Sequence, residues 1–167
     1  MKLLALDTAT EACSAALLVD DAIIERYELA PRRHAALILP MIEAVLAEAG
    51  IGVAQLDALA FGCGPGAFTG LRIAAGVAQG IALAGGLPVV PVSTLAAIAC
   101  HAVARYGVER VAAAIDARMG EVYWGTYRAA RDGGVVLMGA ERVCSPALAT
   151  VPDRACLLYT SPSPRDA

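Results

Sequence analysis

The chain has 167 residues, a formal net charge of −3 and a mean hydropathy of +0.62. This length suits one domain of ordinary size or two small lobes. The acidic balance argues against a basic surface that binds nucleic-acid phosphates, so any contact with RNA is expected to be indirect or shared with a more basic partner. The high hydropathy requires that a membrane protein be considered first.

The longest uncharged stretch covers residues 73–100, which is long enough on paper to cross a bilayer. Gly85, Gly86 and Pro88 interrupt it, and we expect them to end the apolar helix before it could cross. Asp7 interrupts the only early apolar run, which argues against a signal peptide. The sequence therefore predicts a cytoplasmic protein with no membrane segment.

Cysteine and histidine spacing gives no support for a metal site. Five cysteines are spread along the chain without a Cys-x-x-Cys pair, and His34 lies far from His101. This usage is typical of reduced, buried thiols rather than a disulfide framework or a zinc site. We expect no metal ligand set in this chain.

Hydrophobic periodicity predicts the order β-β-β-α-β-α-β-α-β-β-β, a mixed α/β pattern. An acidic turn at 20–21 joins the second and third strands as a hairpin. Gly50 and Gly52 are expected to close the first helix, Pro40 to kink it or mark a shifted start, and Thr69 to cap the second helix. The predicted strands are 2–6, 14–19, 22–29, 57–61, 89–92, 110–115, 121–127 and 135–138, and the predicted helices are 35–49, 70–84 and 94–106.

The glycine-rich loop at 62–67 follows a strand, opens a helix and matches the G-x-G-x-x-[GA] dinucleotide pattern. That fingerprint needs an acidic residue about 20 positions later, yet no Asp or Glu occurs between Asp57 and Glu109. Pro65 also removes an N–H from the loop. The pattern therefore favours a strand-to-helix turn that needs unusual backbone angles.

The turn Asp7-Thr8-Ala9-Thr10 ends the first strand. Actin-like ATPases use an Asp-x-Gly-Thr turn here to wrap a nucleotide phosphate, but Ala9 replaces the glycine. Asp7, Thr8 and Thr10 are thus candidates for a degenerate nucleotide site. The alternative is a hydroxyl-rich turn that satisfies its own backbone.

A second candidate corner contains Asp116, Arg118 and Glu121, between two predicted strands. Two carboxylates and a guanidinium could position a ligand, or Asp116 and Arg118 could form a structural pair; the structural interpretation is favoured. The sequence has no Gly-x-Ser-x-Gly motif and no histidine close to a candidate nucleophile, so no hydrolase machinery is predicted.

Two predicted helices have faces that one small core does not use. The helix at 35–49 has an apolar stripe wider than one face. In the helix at 70–84, Gly76, Gly80 and Ala84 lie four residues apart and would let another helix approach closely. From residue 157 onward the sequence changes character, and we interpret 157–167 as a non-native tail; a natural Ser/Pro-rich tail is the alternative.

Four segments together resemble the TsaB (YeaZ-like) family of bacterial tRNA threonylcarbamoyladenosine biosynthesis proteins, in the actin-like ATPase superfamily. The resemblance covers about residues 1–150, and its most specific part is the Gly-Pro-Gly-x-Phe-Thr-Gly-Leu-Arg string. Ala9 departs from the superfamily's glycine. The segments are Leu4–Thr10, His34 with Leu39 and Pro40, Gly64–Ile73, and Asp116–Trp124.

The resemblance implies an actin-like (RNase H-like) α/β fold, with a mixed sheet and flanking helices. It implies a first lobe at 1–100 and an incomplete, truncated second lobe at 101–156. It also implies a non-catalytic subunit that docks on the family's partner through the two helices of the first lobe. The interface residues expected on this basis are Leu37, Met41, Val45, Arg72, Ile73, Gly76, Val77 and Gly80.

The implied partners are a TsaD-like transferase and a TsaE-like ATPase, with tRNA contacted indirectly and a homodimer formed in their absence. ATP and a metal ion are expected on the partner subunits, and no cofactor on this chain alone. The complex would transfer a threonylcarbamoyl group from its adenylate to the adenosine beside the anticodon of ANN-decoding tRNAs. The alternative function is an ATP-dependent small-molecule phosphotransferase of the same superfamily; a dinucleotide-binding domain is disfavoured by the acid-free stretch after Asp57.

Overall fold

The computed structural model describes residues 1–153 and 155–160. It contains two compact units, Met1–Val92 and a second that begins at Ser93. The sequence-based boundary was placed later, after residue 100. The element order of the prediction is confirmed up to the strand that follows residue 134.

The first unit is a five-stranded mixed sheet with two helices on one face. Its strand order is β3-β2-β1-β4-β5, with β1 antiparallel to β2, β2 antiparallel to β3, and β1 parallel to β4. Its elements are β1 (Lys2–Asp7), β2 (Ala12–Val19), β3 (Ala22–Leu29), α1 (His34–Ala49), β4 (Ala58–Gly64), α2 (Phe68–Gly85) and β5 (Val89–Ser93).

The core of this unit lies between the sheet and both helices. Alternate residues of the strands point to the same face, and those of β1, β2 and β4 bury their apolar side chains against α1 and α2. Fully or nearly fully buried members of this core are Leu4, Leu6, Cys13, Leu17, Leu59, Ile38, Ile42, Val45, Ala74 and Ala78.

The second unit has one helix and a sheet in the order β10-β6-β7-β8, with β9 also paired to β7. Strand β6 is buried on both faces, because one face packs on the helix and the other packs on Trp124 and Cys144. Its elements are α3 (Thr94–Tyr106), β6 (Arg110–Arg118), β7 (Glu121–Ala129), β8 (Val135–Leu137), β9 (Arg142–Cys144) and β10 (Cys156–Thr160).

Several local expectations are confirmed and others are corrected. Gly50 ends α1 and Gly86 ends α2, both in the left-handed conformation that glycine adopts without a steric penalty. Helix α1 continues through Pro40. Thr69 does not cap α2, because the helix already begins at Phe68 with Ala67 at the cap position.

Two strands were absent from the prediction. They are β9 and β10, and β10 pairs in parallel with β6. Residues 157–160 of the predicted tail thus belong to β10, and residues 161–167 lie outside the described residues. Both strands are short, and short strands carry too little periodicity to be recognised alone.

Helix α2 has 18 residues. It is the one described helix that is long and apolar enough, by length and composition, to cross a membrane. The expectation that this helix would be too short was wrong, because the helix begins at Phe68 and ends at Gly85, two residues earlier and one residue later than predicted. One face, with Gly70, Ala74 and Ala78, is buried against the sheet, and the rest of the helix is partly or fully exposed.

Candidate functional site

The Asp7–Thr10 turn is closed by the protein's own backbone. The Thr8 hydroxyl donates to the Gly70 carbonyl oxygen at 2.7 Å, and the Ala67 N–H donates to the Ala9 carbonyl oxygen at 2.7 Å. Thr8 and Ala9 are almost fully buried. The hydroxyl that would wrap a phosphate is therefore already used within the chain.

The side chains of Asp7 and Thr10 each accept a hydrogen bond from nearby backbone. Asp7 Oδ1 accepts from the Ala9 N–H at 2.8 Å, and the Thr10 hydroxyl oxygen accepts from the Ala12 N–H at 3.2 Å. These are bonds in which a side chain satisfies nearby backbone. The structure thus brings Asp7, Thr8 and Thr10 together in one turn whose side chains bond to backbone groups of the chain.

Three glycines allow this close packing. A Cβ at Gly62 would lie 1.8 Å from Asp7 Oδ2, one at Gly66 would lie 2.3 Å from the Ala9 oxygen, and one at Gly70 would lie 1.9 Å from the Thr8 oxygen. Glycine permits a close backbone approach. Here the approaching backbone is the β1 turn, which accounts for the glycine-rich loop without a dinucleotide.

Asp7 carries a buried carboxyl at the end of β1. Burial raises its pKa above the ordinary value, while the hydrogen bond from the Ala9 N–H and the nearby His34 act in the opposite direction. Desolvation is the largest of these effects, because a carboxylate loses hydration that one N–H only partly replaces.

A second feature is the outer face of α2. Phe68 is 68% exposed and Leu83 is 88% exposed, and the Arg72 guanidinium lies over the Phe68 ring at 4.0 Å from its centroid. Between them, Gly76 and Gly80 are exposed, and a Cβ at either would meet no atom within 4 Å. This face, hereafter the α2 outer face, offers a shallow backbone surface with apolar side chains at both ends.

The other predicted interface residues lie at different depths. Leu37 and Met41 of α1, with Ile73 and Val77 of α2, are partly buried and pack against the core. Val45 is fully buried within the core, so its inclusion among the predicted interface residues was wrong.

Sequence reasoning missed Phe68 and Leu83. Phe68 lies inside the Gly-Pro-Gly-x-Phe-Thr-Gly-Leu-Arg string, and its place on the Arg72 side of the helix follows from the four-residue spacing. That spacing was the signal available for finding it. Leu83 lies three residues after Gly80 and seven after Gly76, so the same helical spacing places it on their face of the helix.

In the second unit, Asp116, Arg118 and Glu121 line one open cavity of about 440 Å³. Asp116 Oδ1 accepts from the Arg118 N–H at 2.7 Å, and the hairpin turns through left-handed residues Arg118, Met119 and Gly120. The structure thus brings the three predicted residues together. The Asp116 contact is to the Arg118 backbone, so it shapes the turn.

A further polar cluster was not predicted. Glu141 Oε1 accepts from both the Tyr127 and Ser93 hydroxyls, and the Ser93 oxygen accepts from the Ala96 N–H at 3.3 Å to cap α3. Burial, followed by the bond to Glu141, raises the pKa of Tyr127. Within residues 1–153 and 155–160, no group of three metal-ligating side chains is found.

Residues 20–151 match the family described as TsaD, tRNA N6-adenosine threonylcarbamoyltransferase. The tRNA threonylcarbamoyladenosine biosynthesis protein TsaB of Escherichia coli is 51% identical over 80% of this chain and 58% of its own length. The TsaB of Haemophilus influenzae is 50% identical over 87% of this chain and 65% of its own length.

The solved structure of YeaZ from Pseudomonas aeruginosa is 53% identical and superposes with a TM-score of 0.89, over 95% of this chain and 74% of that one. The fold is thus that of the actin-like, RNase H-like α/β class. The chain belongs to the TsaD family, among its TsaB (YeaZ) members. It spans about three fifths of the length of the curated relatives it matches.

Proposed function

We propose that this chain is a non-catalytic, accessory subunit in tRNA threonylcarbamoyladenosine formation in the cytoplasm. Its relatives in Escherichia coli and Haemophilus influenzae carry the name of that pathway. In this role it supports a TsaD-like transferase, which moves the threonylcarbamoyl group from its adenylate to the adenosine beside the anticodon. A TsaE-like ATPase completes the complex, and tRNA is contacted through the partners.

The observation that carries this proposal is the contrast between the two surfaces of α2. Its start lies against the Asp7–Thr10 turn and forms hydrogen bonds with the Thr8 hydroxyl and the Ala9 carbonyl, in the turn that would hold a phosphate. Its outer face leaves Phe68, Leu83 and two open glycines uncovered. An exposed apolar helix face with close backbone access suits docking of another chain.

The partner docks on the α2 outer face, with the partly buried edge of α1 beside it. Leu37 and Met41 supply apolar area, and Arg72 supplies a charge over the Phe68 ring. Without the transferase, the same face pairs two copies of this chain. ATP and a metal ion belong to the partner subunits in this arrangement.

Co-purification with the transferase tests the docking face. Gly76→Leu and Gly80→Leu each place a large side chain where no atom lies within 4 Å, so the variants are expected to fold and to lose the partner. Gly52→Leu is the matched control, because Gly52 is equally open and lies outside α2. Undiminished complex formation by both α2 variants would overturn this interface.

A further inference from the structure

Strand β3 is the outer strand of the first sheet, and among the described strands it pairs only with β2. The Ala30 N–H donates to the Glu11 carbonyl oxygen. In the β2–β3 register, the backbone N–H and C=O groups of the even-numbered residues of β3 therefore point toward β2. The N–H and C=O groups of the odd-numbered residues, from Ile23 to Leu29, therefore point away from the sheet. Such an edge is a template for another strand.

The two edges of this sheet differ in how they are protected. At the opposite edge, β5 contains Pro91, which has no N–H to offer to another strand. Strand β3 runs for eight residues without proline or lysine. Its side chains Ile23, Tyr27 and Leu29 are 69%, 63% and 67% exposed. The β3 edge is therefore open, with three large apolar side chains exposed beside its charged residues.

We propose that β3 pairs antiparallel with β3 of a second copy of this chain, with Tyr27 opposite Tyr27 on the two-fold axis. This register sets Arg26 of each copy opposite Glu28 of the other, and Glu25 opposite Leu29. Opposite charges facing each other across a strand pair stabilise it, and like charges destabilise it. The charges of β3 are thus complementary to themselves.

Other registers lack this complementarity. Centring the pair on Glu25, Arg26 or Glu28 places two like charges opposite each other. Centring it on Ile24 pairs as many residues of β3 as the Tyr27 register does, but sets no opposite charges against each other within the strand and brings Asp20 opposite Glu28. Among these registers, only the Tyr27 register sets residues of opposite charge against each other within β3.

The backbone geometry agrees with the Tyr27 register. Tyr27, Glu25 and Leu29 have outward N–H and C=O groups, so these residues form the hydrogen-bonded pairs. Arg26 and Glu28 fall between them, at the positions where side chains of opposing strands lie closest. Within the chain both already form exposed ion pairs, with Glu48 and Arg33 respectively. Exposed pairs of this kind contribute little and are readily shared.

An eight-residue edge is smaller than the interface of a permanent dimer, so we expect weak, concentration-dependent association. The edge lies on a different element from the α2 outer face. Measuring self-association in the Gly76→Leu background therefore separates pairing through β3 from docking through α2. Failure of one proposal then leaves the other standing.

Sedimentation velocity over a concentration series is the test. The Gly76→Leu chain is expected to dimerise, and adding Glu28→Arg or Arg26→Glu is expected to weaken the dimer about tenfold, because each sets like charges opposite each other. An equimolar mixture of the two variants is expected to associate again, since all cross-strand pairs between them are of opposite charge. Glu43→Arg on α1 is the control for the charge change and is expected to leave association unaltered.

Three outcomes would overturn the proposal. They are a chain that stays monomeric at the highest concentration, single variants that dimerise as well as their parent, and a mixture that associates no better than its components. A chain that binds a strand from another protein but stays monomeric would also overturn the proposal.

Discussion

Glycines spaced four residues apart set how closely the loop after β4 and the start of α2 approach β1. Gly66 and Gly70 lie against the Ala9 and Thr8 carbonyl oxygens, where no side chain fits. Gly76, six residues further along α2 than Gly70, faces open space. The same residue type thus serves packing at one end of the helix and an open surface in its middle.

Alanine substitution is expected to have opposite effects at these two positions of one helix. Gly70→Ala should lower the free energy of unfolding by about 1–3 kcal/mol, because its Cβ meets the Thr8 oxygen at 1.9 Å. Gly76→Ala should raise it by about 0.5–1 kcal/mol through helix propensity. Urea unfolding measures both, and equal effects at the two sites would contradict the packing described here.

The buried Asp7 carboxyl should make stability depend on pH. Because burial raises its pKa in the folded state, the folded chain binds the proton more tightly than the unfolded chain. Its contribution is fully present below the unfolded pKa and is lost as pH rises through the folded pKa. Asp7→Asn, which can keep the oxygen that accepts from Ala9, should remove this loss.

The measurement is the difference in free energy of unfolding between the wild-type chain and Asp7→Asn across the acid range. Other carboxyls cancel in that difference. We expect the wild-type chain to lose stability relative to the variant as pH rises from below the ordinary aspartate value toward neutrality. A relative gain over the same range would show that the Asp7 pKa is lowered.

At the scale of elements, helix ends divide into those set by one residue and those set by tertiary contacts. Gly50, Gly86 and Gly107 end the three helices in the left-handed conformation, a local property that a sequence displays directly. The start of α2 has no side-chain cap, because its first residues pack on the β1 turn. Thr69 was therefore a reasonable but incorrect choice of cap.

The start of α3 does have a side-chain cap, and it is linked to Glu141. Ser93→Ala removes the acceptor of the Ala96 N–H together with the donor to Glu141, and should lower the free energy of unfolding by about 1 kcal/mol. Ser93→Thr keeps the hydroxyl and should restore most of that loss. Chemical denaturation of the three proteins checks this, and an Ala variant as stable as the Thr variant would count against the cap.

At the scale of the whole molecule, the chain has the fold of the actin-like ATPase superfamily. The groups of its Asp7–Thr10 turn are hydrogen-bonded within the chain. Thr8 is committed to Gly70, and Ala9 is held by both Ala67 and Asp7. These bonds would have to break before a phosphate could enter the turn. The alternative function, an ATP-dependent phosphotransferase, requires that entry.

Calorimetry distinguishes the accessory subunit from the phosphotransferase. When ATP with Mg²⁺ is titrated into this chain alone, we expect no saturable heat. A parallel titration into the chain together with the transferase is the control for active nucleotide. Tight, saturable binding by the isolated chain would favour the phosphotransferase.

The resemblance in four motif segments was enough to predict the family, and the order of most elements followed from periodicity. The outline of both candidate sites also followed, since Asp7, Thr8 and Thr10 are adjacent and Asp116, Arg118 and Glu121 share one turn. Contacts between residues far apart in the chain were not predictable. Glu141 with Tyr127 and Ser93 is an example, because no local pattern marks its partners.

Periodicity, glycine stops and specific motifs act over a few residues, so the sequence by itself determined the α/β class, the helices and the family. Only the tertiary structure decided which apolar residues remain outside. It placed Val45 in the core and left Phe68 and Leu83 exposed, although all three are apolar residues on helices. It also showed that the β1 turn lies against Gly66 and Gly70, because a close approach depends on what folds against the glycine.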